Sequence, residues 1–113
     1  MIDLKDRTKE LAIHIIKALE LEPFNIESSV LCKQVIRCST SVGANFRAYS
    51  RARSKKEAYS KICIVVEEAD ELVYWLDIMD NLDDRYTKVC SLKNEAEEIL
   101  KIMNSIKTKC KPE

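Results

Sequence analysis

Hydrophobic positions recur along this chain at steps of three and four in four separate segments. In the first, Leu4, Thr8, Leu11, Ile15 and Ala18–Leu19 share one face of a helix. The spacing predicts a helix over about residues 3–21, stopped by Pro23, because the residue before a proline avoids helical backbone. Pro23-Phe24-Asn25 is then the first loop. The second stripe is Leu31, Val35, Cys38, Val42, Phe46 and Tyr49, on a helix of about 29–52 capped by Ser28 or Ser29. Gly43 lies inside that stripe at a cost of about 1 kcal/mol against alanine, which points to close packing against a neighbour.

Ser54 followed by Glu57 has capping-box spacing and opens a third helix over 55–81. Its stripe is Ile62, Val66, Ala69, Val73 and Leu76, widened by Val65, Leu72 and Met79. After a break at Asn81-Leu82-Asp83-Asp84, a helix over 85–110 carries Val89, Leu92, Ala96, Ile99, Met103, Ile106 and Cys110. Four amphipathic helices with short connections predict an all-α, antiparallel up-down four-helix bundle, as one domain over 1–113.

Composition agrees with that reading. A length of 113 residues suits one compact domain, and one glycine with two prolines excludes a turn-rich sandwich or barrel. No stretch reaches the roughly 18–20 apolar residues of a membrane span. The start, Met1-Ile2-Asp3-Leu4-Lys5-Asp6, is acidic where a signal peptide is basic. Cys32, Cys38, Cys63, Cys90 and Cys110 are odd in number and form no Cys-x-x-Cys pair, so they read as reduced thiols of a cytoplasmic protein, without structural zinc.

Charge is distributed unevenly along the chain. The chain is neutral overall, with 19 basic and 19 acidic residues, but in blocks. Residues 1–32 hold four basic and six acidic groups, and residues 33–61 hold eight basic and one acidic. Residues 62–88 hold two basic and eight acidic, and residues 89–113 hold five and four. Lys33, Arg37, Arg47 and Arg51 share an arc of about 80° opposite the apolar stripe of the second helix. Arg53, Lys55, Lys56 and Lys61 carry the charge into the third helix. Arg47, Arg51, Arg53, Lys55, Lys56 and Lys61 are therefore candidate phosphate-binding residues, set against the plainer reading of a solvated outer face.

The acidic counterpart is Glu67-Glu68-Ala69-Asp70-Glu71. A di-metal bundle needs a Glu-x-x-His on each of two helices, whereas this chain has one histidine, His14, and no such motif. Ion pairing of Arg37 with Glu68, Asp70 and Glu71 is the expected role, and no metal or other cofactor is expected. Ile64, Trp75 and Ile78 fall within about 60° on the far side of the third helix, where a monomer would expose them. They are the candidate oligomer interface.

Chemistry-bearing patterns are few. His14 is the single imidazole, and its spacing from Arg7 only loosely matches helical-bundle ribonucleases of the HEPN type. There is no Gly-rich phosphate loop, so neither catalytic residues nor a small-molecule substrate are expected.

The run Gln34-Val35-Ile36-Arg37-Cys38-Ser39-Thr40-Ser41-Val42-Gly43-Ala44-Asn45-Phe46-Arg47-Ala48, continued by Arg51-Ala52-Arg53-Ser54-Lys55-Lys56-Glu57, resembles the signature of the proteins linked to intervening sequences of bacterial 23S ribosomal RNA genes. The likeness extends through residues 62–76, including Glu68-Ala69-Asp70-Glu71. This resemblance implies an up-down bundle that assembles with itself into a ring, a homopentamer. It assigns no general biochemical role. A related group binds reverse transcriptase and RNA through a strongly basic surface, whereas this chain has a pI of about 6.6 and only a local basic cluster. Two readings follow: a ring-forming protein whose basic cluster meets RNA or a nucleoprotein, or an oligomeric scaffold without nucleic-acid affinity.

Overall fold

The structure, a computed structural model, describes residues 3–20, 25–82 and 84–112. Three long helices come first: α1 (Leu4–Leu19), α2 (Ile26–Ser50) and α3 (Lys55–Asp80). A 3₁₀ turn at Asp84–Tyr86 leads into the single turn α4 (Thr87–Cys90), and the long helix α5 (Lys93–Cys110) completes the bundle. No strand occurs among the described residues.

Each long helix packs against the next in the chain, as in an up-down bundle. Lys93 at the start of α5 reaches Asp77 and Asp80 at the end of α3. Tyr49, near the end of α2, meets Cys110 at the end of α5. The molecule is 47 Å long and 25 by 19 Å across. No helix among the described residues is long and apolar enough to cross a membrane.

The expected stripes form the core, shifted on α3 and only half-buried at Leu4, Ala18, Tyr49, Leu92, Ile106 and Cys110. Ile62, Val65, Ala69, Leu72, Leu76 and Met79 are the buried line of α3, while Val66 and Val73 lie half-buried on the flank. Leu11, Ile15 and Leu19 of α1 and Leu31, Val35, Cys38, Val42 and Phe46 of α2 join them. Ala96, Ile99 and Met103 close the core from α5.

Three local expectations are corrected. Helix α2 begins at Ile26 rather than near residue 29, because Asn25 caps it by accepting from the Ser28 N–H at 2.8 Å. Ser28 is buried instead, 2.9 Å from the hydroxyl of Tyr86. The last helix is broken at Ser91–Leu92, so Tyr86 and Val89 reach the core from the preceding turns. At Gly43 a Cβ would meet Thr8 at 3.7–3.8 Å, an ordinary contact, so close packing does not require a glycine there. Ser54 does cap α3, accepting from the Glu57 N–H at 3.0 Å. The Pro23-Phe24 part of the first loop lies outside the described residues.

Candidate nucleic-acid interface

The end of α2 and the start of α3 gather the basic side chains. Arg47 lies in the last turn of α2 and Arg51 is its C-cap residue. Arg53 follows in the connection, and Lys55 and Lys56 open α3. Arg47, Arg51, Arg53, Lys55 and Lys56 are exposed, and Lys61 is half-buried. Among the described residues none of the six makes an ion pair. Lys55 and Lys56 sit at the positive end of the α3 dipole, a place that disfavours cations by a few tenths of a kcal/mol, about 0.3–1 each.

Arginines elsewhere behave differently. Arg7 donates to both carboxylate oxygens of Glu95, at 3.1 and 2.6 Å, and also meets Glu98 at 3.3 Å. Arg85 pairs with Glu27 at 3.1 Å. Arg37 donates to Glu68 at 3.0 Å and to Glu71, joining α2 to α3. All three arginines outside the corner are thus neutralised, whereas the three within it have no ion pair among the described residues. Asp70, expected as a further partner of Arg37, is exposed and takes no part in this pair.

The Arg37 network includes a thiol. Its guanidinium also donates to the Sγ of Cys38 at 3.2 Å. Burial, reinforced by Glu71 and Glu68 and opposed by Arg37, pushes the Cys38 thiol up from 9.0 to about 12. The donor atoms of Cys38, Glu68 and Glu71 lie within 4.8 Å of one another, a spacing that a metal ion can use. Arg37 already occupies that space as the cation, and a thiol held protonated is a poor ligand.

The expected exposed face of α3 is only partly exposed. Ile64, Trp75 and Ile78 are half-buried, and the latter two pack against the core. Trp75 also donates from Nε1 to Glu71 at 3.3 Å and stands edge-on to Tyr74. Among the exposed apolar side chains, Tyr74 beside Trp75 on α3 is 60% exposed and Val30 on α2 is 52% exposed, and neither falls in that arc. His14 is exposed on α1, while Arg7 is occupied by Glu95 and Glu98, so the pair is not a free Arg–His couple.

A groove of about 660 Å³ runs between α1 and α2. Thr8, Ala12, Gly43 and Ala44 make it possible because their side chains are short. Lys5, Lys9, Ile13 and Ile16 line it from α1, and Thr40, Arg47 and Arg51 from α2. Lys5 and Lys9 join the basic corner only through the packing of α1 on α2, which brings them into one groove with Arg47 and Arg51, and no local pattern in the sequence marks them.

The fold and its corner define a class: a four-helix all-α bundle with ion-paired flanks and one unneutralised basic end. The chain belongs to the 23S rRNA-intervening sequence protein family, which it matches over residues 2–105. It is also similar to a protein of unknown function from the S23 ribosomal protein family of Bacteroides thetaiotaomicron. That crystal structure shares 32% identity over 93% of this chain and 98% of its own, with a TM-score of 0.75. No curated protein matches the chain.

Proposed function

We propose that this protein is a non-enzymatic, self-assembling bundle that binds RNA, alone or within a nucleoprotein, through its α2–α3 corner. One observation carries the reading. Arg7, Arg37 and Arg85 have carboxylate partners, whereas Arg47, Arg51 and Arg53 make no ion pair among the described residues. Cations left exposed and unpaired at a helix junction suit phosphate oxygens, which exchange condensed counterions for arginine and lysine. Cytoplasm is the matching compartment, because none of the five cysteines is in a disulfide among the described residues.

Assembly into a ring, with five copies as the resemblance implies, is the second half of the proposal. It is supported by the exposed Tyr74 and Val30 beside half-buried Trp75 and Ile78. The competing reading, a scaffold without affinity for nucleic acid, would have the corner meet acidic groups of a neighbouring copy.

Sedimentation velocity at low and moderate salt, with and without a short single-stranded RNA, separates the two. The expected result is an RNA-induced shift that weakens log-linearly with salt and is abolished by Arg47→Glu. A protein that ignores RNA at low salt overturns the RNA half and leaves the scaffold.

A further inference from the structure

Two pairs of cations face one another across the groove between α1 and α2. Lys5 and Lys9 stand one turn apart on α1, and Arg47 in the last turn of α2 is followed four residues on by Arg51 at its C-cap. Residues four apart on a helix have Cβ atoms about 5–6 Å apart, so each wall offers a repeat of positive charge along the groove. Among the described residues none of the four makes an ion pair. Asp3 and Asp6 also line the groove, and Asp3 is committed to the α1 N-terminus, where it accepts from the Lys5 N–H at 2.7 Å. Four cations against two carboxylates leave the groove positive.

Its apolar parts are as specific as its charge. Ile13 and Ile16 are each 38% exposed on the α1 wall, and Ala12, Gly43 and Ala44 keep the space between the helices open. Neighbouring helices pack about 8–10 Å apart, so cations on the two walls can reach a single backbone from both sides. No aromatic side chain lines it, so bases find apolar contact without a stacking platform and sequence preference is weak.

We propose that single-stranded RNA lies along this groove, its phosphates held between Lys5 and Lys9 on one side and Arg47 and Arg51 on the other, with its bases toward Ile13 and Ile16. The inference rests on the RNA reading of the basic corner and adds the strand's path and its single-stranded form. It also brings α1, the helix that begins in an acidic part of the chain, into the site.

Fluorescence anisotropy with a labelled single-stranded 12-mer, the matching duplex and polyglutamate tests it. Lys5→Glu/Lys9→Glu changes the groove alone, and Lys55→Glu/Lys56→Glu changes the corner outside it. All four positions are exposed, and far-ultraviolet circular dichroism verifies that both variants remain folded. The expected result is at least tenfold weaker single-strand binding by Lys5→Glu/Lys9→Glu. Its log affinity against log salt should have a slope shallower by about 1.4, the loss of two phosphate contacts to a single strand. The duplex should bind at least tenfold more weakly than the single strand. Unchanged binding by Lys5→Glu/Lys9→Glu, with loss in Lys55→Glu/Lys56→Glu, overturns the groove and leaves the corner. Equal affinity for duplex, or for polyglutamate, overturns the assignment to a single RNA strand. Absence of any RNA binding by the unaltered protein at low salt overturns both the groove and the reading on which it rests.

Discussion

Cys38 shows how one buried side chain ties the chemistry of α2 to that of α3. Its position between Val35 and Val42 places it in the core, and it is fully buried there. The sequence gives no hint that its thiol would also accept from Arg37, since that contact depends on where Glu68 and Glu71 draw the guanidinium. Burial lifts the thiol from 9.0 to about 12, so the folded protein keeps a proton that the unfolded chain releases. Stability from this group is complete below pH 9 and is lost as pH rises toward 12. Tyr49, Tyr59 and Cys90 are shifted in the same direction and add to the same limb. The urea midpoint should therefore fall steadily between pH 9 and pH 11. Cys38→Ala should start lower, through the cavity it leaves, and fall less steeply; a parallel fall in both proteins would remove Cys38 as a cause.

At the scale of the element, the junction before α5 is the segment where local and tertiary signals part. Tyr86 is among the largest fully buried side chains, and its hydroxyl lies 2.9 Å from that of Ser28. Tyr86→Phe would keep the ring and leave the buried Ser28 hydroxyl without this partner, a loss of about 1–3 kcal/mol. Thermal denaturation should show it, and Ser28→Ala/Tyr86→Phe should recover part of the loss; no change in the single variant would mean that the pair carries no stability. Ser28 illustrates the limit of local reading. A serine near a helix start has the chemistry of a cap, but Asn25 takes that role three residues earlier and frees Ser28 to turn inward. The long stripes of α1, α2, α3 and α5 were legible because their repeats of three and four are sustained over several turns. The break at Ser91–Leu92 was not, since Val89 and Leu92 keep helical spacing across it. Of the basic site, Arg47 to Lys61 could be read as a run, whereas Lys5 and Lys9 become part of it only through the docking of α1 on α2.

For the whole molecule, the face that would join copies follows from the register of α2 against α3. Arg37 pairs with Glu71, and the two helices continue from that pair toward the same end of the bundle. Two turns along, Val30 on α2 and Ile78 on α3 stand at the same level, with Trp75 and Tyr74 one turn below. The result is an apolar strip above a paired arginine. Trp75 and Ile78 are half-buried against the core, so replacing them would confound assembly with folding. Val30 and Tyr74 are the cleaner probes because they project into solvent. A closed ring needs a heterologous contact, in which this strip meets a different surface of the next copy. Two charges inserted into the strip should break every contact around the ring at once. Val30→Glu/Tyr74→Glu is therefore expected to convert the assembly to a 13.0 kDa monomer in sedimentation velocity, with its helical circular dichroism unchanged. An unaltered protein that sediments as a monomer would end the assembly proposal. A variant that remains a ring would move the interface elsewhere on the bundle.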